Sequence, residues 1–351
     1  MSAPPRYRWQ PTTAEIAAGA GIPASQVVRF DHNTSPFPTE WAVEIAASAA
    51  TMLNEYPGAT YLEIRRAAAG YSGTAVERIA VGAGIDELLL LAGRAFLAPG
   101  MRAAAVVPGY PLYEIASLQV GASFTGVAAA APDFVFPLDG VVAAARNADL
   151  VWLCVPDNPS GARVDDDAID AVIAATDGLV VLDAAYAEFA GDRWAPWVER
   201  NHNLLVLHTL SKGFGVGGIR VGYGIGHPDL VDAIDGVRPP GSIASISVEV
   251  AVAALGAPDR MASRVDVIIS ERTRLTGELS RLGLRVLPSS TNFVLCDVGS
   301  AAAGVADRLL RRGLVVRTYA AGGPLDRYLR FTVRTPHEDD RLIAALEEEL
   351  A

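Results

Sequence analysis

The stretch Leu204-Leu205-Val206-Leu207-His208-Thr209-Leu210-Ser211-Lys212-Gly213-Phe214-Gly215 carries an apolar run straight into a lysine and a glycine-rich turn, and Gly217-Gly218-Ile219-Arg220 follows at once. A run this short and apolar on both faces reads as a central strand of a covered sheet. Runs of the same kind recur at Ala103–Val107, Leu150–Val155, Leu179–Asp183 and Ile219–Ile225. Amphipathic helical stretches such as Asp86–Leu97, Tyr113–Val120 and Asp165–Ala175 lie between several of them. That alternation predicts an α/β three-layer sandwich around a mainly parallel sheet, with right-handed crossovers.

Outside this region the texture differs. Residues 1–38 read as an N-terminal arm with a short helix near Ala14–Ala20, and 39–240 as the large domain, opening with a helix over Thr39–Leu53. Residues 241–351 read as a smaller α+β domain. Its elements are a long helix over Pro258–Leu282, strands near Leu284–Leu287, Phe293–Asp297 and Tyr328–Val333, and helices over Ala301–Arg312 and His337–Leu350. The arm is expected to pack beside this domain.

Composition narrows the function. Hydrophobic residues make up 51% and charged residues 20%, which excludes general disorder. A net charge of -11 argues against a nucleic-acid surface. The start lacks a signal-peptide core, and the apolar stretch Ile243–Ala257 is broken by Glu249 and too short to span a bilayer. The expectation is a cytoplasmic protein with no membrane and no nucleic-acid partner. Cys154 and Cys296 read as reduced core thiols, and no metal site is expected. Of the 29 basic residues, 28 are arginines and one, Lys212, is a lysine. Chemistry that needs a lysine amine has one candidate.

A lysine behind an apolar strand, then glycines, then an arginine eight residues on, suits a pyridoxal phosphate site. The amine forms a Schiff base. The hydroxyls of Thr209 and Ser211 suit a phosphate, and Arg220 offers it a planar fork. Asp183 ends another buried run and Tyr186 follows three residues later. A carboxylate there can pair with a protonated pyridine nitrogen, and a phenol can reach the ring's phenolic oxygen; a helix N-cap is the competing reading of Asp183. Asn158, in Pro156-Asp157-Asn158-Pro159-Ser160-Gly161, is held extended by the following proline and is a second candidate for that oxygen. Gly82-Ala83-Gly84-Ile85-Asp86-Glu87 opens a helix whose first amides make a phosphate cradle, with acidic capping as the alternative reading. Tyr110, in Pro108-Gly109-Tyr110-Pro111-Leu112-Tyr113, is placed to stack on a flat cofactor.

Taken in order, these motifs together with Ser290-Thr291-Asn292-Phe293 resemble the fold-type I pyridoxal phosphate aminotransferases, specifically the histidinol-phosphate aminotransferase-like group. The resemblance runs from about Asp31 to the C-terminus. It implies that Lys212 is the Schiff-base lysine and proton shuttle, that Asp183 meets the pyridine nitrogen, and that Asn158 and Tyr186 meet the phenolic oxygen. Tyr110 would stack on the ring. Backbone amides of Ile85 and Asp86, with Thr209, Ser211 and Arg220, would hold the phosphate. Tyr56, in Tyr56-Pro57-Gly58, matches a tyrosine that reaches the partner subunit's phosphate, which implies a homodimer. Arg330 matches the arginine that binds the substrate's anionic group, with Arg317 as second candidate and Asn33 as a further substrate contact; solvated strand-end arginines are the alternative. The reactants implied are a small-molecule amino donor, an amino acid or amino-alcohol phosphate, and a 2-oxo acid acceptor such as 2-oxoglutarate. A threonine-phosphate-type decarboxylase is the other reading that these parts allow.

The chain also departs from the group. Its loop reads Asn33-Thr34-Ser35-Pro36-Phe37 where the group has Asn-Glu-Asn-Pro-Tyr, so a tyrosine hydroxyl is absent. Ala184, His208, Asp157 and Arg334 stand where glutamate, arginine, asparagine and glycine are usual.

Overall fold

The computed structural model describes Tyr7 and residues 10–350. Twelve strands are found among these residues. A two-residue strand, β1 (Val28–Arg29), lies in the N-terminal segment, and the main sheet is built from β2 (Ile79–Gly82), β3 (Arg102–Val107), β4 (Ser123–Ala128), β5 (Leu150–Cys154), β6 (Leu179–Asp183), β7 (Leu204–Thr209) and β8 (Gly222–Ile225). The C-terminal part holds β9 (Arg285–Val286), β10 (Phe293–Asp297), β11 (Leu314–Val315) and β12 (Tyr328–Thr332).

The main sheet has the order β2-β8-β7-β6-β5-β3-β4. The pairs from β7 through β4 are parallel, and β8 alone runs antiparallel to both of its neighbours. Strands β5, β6 and β7 are apolar and almost wholly buried, because helices cover both faces. One face packs on the helices Gly84–Phe96, Leu112–Gln119 and Pro258–Arg281. The other packs on Leu62–Ser72, Leu138–Ala145, Asp166–Ala174 and Ser245–Leu255. The last of these lies beyond residue 240 in sequence yet shares the main sheet's core, through Val248, Ala251 and Ala254.

The C-terminal part forms an antiparallel sheet β12-β10-β9, and β1 pairs in parallel with β11. The arm therefore sits against the C-terminal elements. Two expected elements are corrected. The strand expected from Ile219 begins only at Gly222: Gly217–Ile219 is a turn of 3-10 helix and Arg220 is left-handed (φ 51°). A strand could not enter here with a side chain, because a Cβ on Gly222 would lie 2.8 Å from the Ile85 nitrogen and from the His208 carbonyl oxygen. The helix expected over Thr39–Leu53 is shorter, a 3-10 turn at Glu40–Ala42 and then Val43–Ala50. No residue of Val43–Ala50 is fully buried, and the helix rests on the core only through the partly buried Ile45 and Ala46, so burial gives little support for a longer helix.

Candidate active site

Side chains alternate along a strand, so Asp183 and its register partner Leu207 face one side of the sheet while His208 faces the other. Asp183 ends β6 at 4% exposure. It accepts hydrogen bonds from the Tyr113 hydroxyl (2.7 Å) and the Ala185 amide (3.0 Å). Burial raises its carboxyl to about 6, against the lowering effect of those bonds.

Lys212 follows β7 in the tight turn Ser211–Gly215, and its Nζ donates to the His32 carbonyl (3.1 Å). Burial, helped by the nearby Arg330 guanidinium, lowers the amine to about 8. Beside it the Tyr186 hydroxyl accepts from Asn33 Nδ2 (3.0 Å), and Arg330 Nη1 donates to Asn158 Oδ1 (2.6 Å). Arg330 is 7% exposed, lies over the Phe293 ring and donates through Nη2 to the Asp31 carbonyl (2.8 Å). Its Nε is buried and has no partner among the described residues. Arg317 reaches this region through its backbone, which exchanges two hydrogen bonds with Arg330 at 3.1 Å.

A second cluster lies at the start of the helix Gly84–Phe96. Arg220 donates to Ser211 Oγ (3.2 Å), to the Gly217 carbonyl (3.0 Å) and to Asp86 (3.0 Å). Asp86 also accepts from the Tyr110 hydroxyl (2.9 Å), and Thr209 Oγ1 accepts from the Ser211 amide (3.1 Å). Gly84 has φ +81°, and a Cβ on it would stand 2.5 Å from Arg220 Nη2. A helix N-terminus, a guanidinium and a hydroxyl thus converge on a space kept free of side-chain bulk, the donor set of a phosphate cradle. Together with a half-buried amine near neutrality and a buried carboxyl that lacks a cation, these residues fit pyridoxal phosphate.

The structure brings together Lys212, Asp183, Tyr186, Asn158, Asn33 and Arg330, and groups Ile85, Asp86, Tyr110, Thr209, Ser211 and Arg220 close by. Tyr56 stands apart at 94% exposure, in a segment that also exposes Val43, Met52 and Leu53. Four contributors were given no role by sequence reasoning, although Tyr113 and Asn292 stand in motifs quoted above. Tyr113 touches Asp183 and stacks on Trp152 (5.7 Å, 13°). Asn292 Nδ2 donates to the Asn33 carbonyl, Thr332 Oγ1 accepts from the Asn33 amide, and Asp31 offers its carbonyl to Arg330. The one available signal was the helical spacing of Tyr113 from Tyr110. His208 lies on the far face, stacked on Tyr223 (4.9 Å, 13°). Arg334 pairs with Glu338 (3.1 Å).

A cavity of about 540 Å³ opens at the C-terminal ends of β3 and β5, lined by Tyr113, Trp152, Cys154, Asp157, Phe134 and Leu287 among others. β3 continues toward β4 while β5 continues toward β6, so the chain diverges here and leaves a crevice, the usual ligand position in open α/β sheets.

Residues 24–346 match the family described as aminotransferase class I and II. The chain is 36% identical to histidinol-phosphate aminotransferase 2 of Archaeoglobus fulgidus, over 93% of this chain and 94% of that protein. It is 33% identical to the histidinol-phosphate aminotransferase of Methanothermobacter thermautotrophicus, over 95% and 92%. Among solved structures, the histidinol-phosphate aminotransferase of Sinorhizobium meliloti in complex with pyridoxal-5'-phosphate superposes with a TM-score of 0.89 at 30% identity, covering 99% of this chain and 98% of that one. No described helix is long and apolar enough to cross a membrane.

Proposed function

Since the chain belongs to the aminotransferases of class I and II, we propose that it moves an amino group from an amino-alcohol phosphate of the histidinol phosphate kind to a 2-oxo acid, with 2-oxoglutarate as acceptor. The observation that carries this reading is the joint placement of a low-pKa Lys212, a buried Asp183 and the Gly84–Arg220 cradle. The names of the relatives supply the donor class.

Pyridoxal phosphate, when bound, supplies an aldehyde for the amine to react with and a pyridinium ring that accepts the electron pair of a broken Cα bond. Arg220, Ser211, Thr209 and the amides of Ile85 and Asp86 hold its phosphate, with Tyr56 of a second copy of this chain as a further contact. Asp183, buried at 4% exposure, would keep the ring nitrogen protonated. Tyr113 aims that carboxylate. Asn158 and Tyr186 hold the ring's phenolic oxygen, and Tyr110 covers the ring. Lys212 is poised for its task because an amine near 8 is about a tenth deprotonated at pH 7, far more than an ordinary lysine, so its Nζ both takes and returns the Cα proton. Arg330 orients the acceptor's carboxylate, with Arg317 and Asn33 beside it, and the 540 Å³ crevice leaves room for the donor's side chain. The exposed run Val43, Met52, Leu53 and Tyr56 is the surface for the second copy.

Incubating the purified protein with histidinol phosphate should bleach the visible absorbance of the lysine-bound cofactor in stoichiometric amount. Adding 2-oxoglutarate should restore it with formation of glutamate. Carbon dioxide release from an amino-acid phosphate without bleaching would overturn the reading in favour of the lyase.

A further inference from the structure

A second cavity, of about 370 Å³, lies behind the Lys212 turn. It is walled by Tyr71, the segment Ala187–Ala195, His208, Tyr223 and the helix Pro258–Arg281. Five of the buried polar atoms that have no partner among the described residues belong to residues lining it: Glu188 Oε2, Asp192 Oδ2, Trp194 Nε1 and both ring nitrogens of His208. His208 and Trp194 are only 6% and 3% exposed. Buried polar atoms are almost always satisfied, so a cluster of orphans around one cavity points to an occupant.

The chemistry of the walls narrows the occupant. Two carboxylate oxygens and the acceptor nitrogen of His208, which burial keeps neutral, ask for hydrogen-bond donors. Among the described residues no cation makes an ion pair with Glu188: the charge of the exposed Arg193 only partly offsets the burial that raises the Glu188 carboxyl to about 7, and Arg193 hydrogen-bonds Tyr71, while Arg163 is paired with the other oxygen of Asp192 (2.8 Å). The rings of Tyr71, Trp194 and the stacked His208–Tyr223 pair add aromatic surface, which favours a cation. No group of three or more His, Cys, Asp or Glu side chains able to hold a metal ion is found among the described residues. We propose that this cavity binds a small organic cation rich in N–H donors, of the alkylammonium or alkylguanidinium class, through Glu188. Water admitted with the ion satisfies the remaining donors.

The site is coupled to the active-site turn by contact. A Cβ on Gly213 would stand 2.8 Å from Glu188 Cβ, so Glu188 packs directly against the residue that follows Lys212, and it lies two residues after Tyr186. An ion seated on Glu188 therefore stiffens both segments that border the cofactor.

The test is a thermal-shift and calorimetric titration of the holoenzyme at mildly alkaline pH, and it does not depend on which reaction the enzyme performs. Methylguanidinium chloride at millimolar concentration should raise Tm saturably by roughly 2–4 °C over equal sodium chloride. Tetramethylammonium, which has the charge but no N–H, should give no such rise. Glu188→Gln should abolish the response. His208→Arg, which brings a tethered guanidinium to the cavity, should raise Tm without the ion and remove the response. A wild-type response no larger than that to sodium chloride, an equal response to tetramethylammonium, or a response retained in Glu188→Gln would each overturn the proposal.

Discussion

An Asp183→Asn substitution removes one charge from the floor of the site while keeping the side chain's size. Asn can keep the bond from the Ala185 amide through its Oδ1, while its Nδ2 donates to the Tyr113 hydroxyl, which reverses its role and accepts, so the packing stays intact. In the cofactor-free protein the carboxylate is buried without a cation, and its pKa rises from 3.8 to about 6. An acid raised in the folded state favours folding when protonated, and that contribution is lost as pH climbs from the unfolded to the folded value. Each unit corresponds to about 1.4 kcal/mol, so the charged form costs the cofactor-free fold about 3 kcal/mol near neutral pH and above. Asp183→Asn should therefore stabilise the apoprotein by up to about 3 kcal/mol near pH 8, shrinking to about 1 kcal/mol near pH 4.5. The same change removes the partner of the ring nitrogen and should lower kcat/KM by about a thousandfold, comparable to losing an electrostatic anchor in the transition state. Urea unfolding of wild type and variant apoprotein at the two pH values, with steady-state kinetics on the holoenzymes, measures both effects. An apoprotein that gains nothing near pH 8, or a gap that does not narrow in acid, would refute the argument that Asp183 is a strained, unpaired charge awaiting a cation.

Gly84→Ala should weaken cofactor binding by roughly tenfold or more, since the left-handed backbone costs an alanine about 1–2 kcal/mol and its Cβ displaces Arg220; equilibrium dialysis of pyridoxal phosphate reads the loss. Arg330→Lys should raise KM for the 2-oxo acid about ten- to a hundredfold, because an ammonium cannot reproduce the planar fork held between Asn158 and Asp31; an unchanged KM would remove Arg330 from the acceptor site. Tyr56→Ala and Lys212→Ala chains, each poorly active, should recover about a quarter of the wild-type sites when refolded together, through hybrid dimers with one intact site. No recovery in the mixture would mean that the sites are not shared.

How far the sequence reveals this molecule depends on burial. Strands β5, β6 and β7 are legible because both faces are covered and the run stays apolar throughout. Strand β4 was not recognised, because it is a largely exposed edge strand with Gly126 at its middle, and no period survives there. Lys212, Asp183 and Asn158 are legible because each stands at or just beyond a strand's C-terminal end, where the sheet presents its ligands. Tyr113 was hidden because nothing local shows that a helical tyrosine turns its hydroxyl toward a carboxylate 70 residues away. Asn292 and Thr332 were hidden for a similar reason, since their partners lie in the N-terminal segment.

That segment crosses the molecule's longest sequence separations. Thr332 Oγ1 donates to the Phe30 carbonyl and accepts from the Asn33 amide, and Arg330 reaches the Asp31 carbonyl, linking residues about 300 positions apart, while Asn33 also reaches Tyr186. These partners lie about 300 residues apart, so a ribosome must have made the chain as far as β12 before the cover over Lys212 can close fully. A nascent chain that stops short of β12 carries the lysine but lacks Arg330 and Thr332, two of the groups that fasten the N-terminal segment over it. Its contacts, being so far from local, come with a large loop-closure entropy and form late.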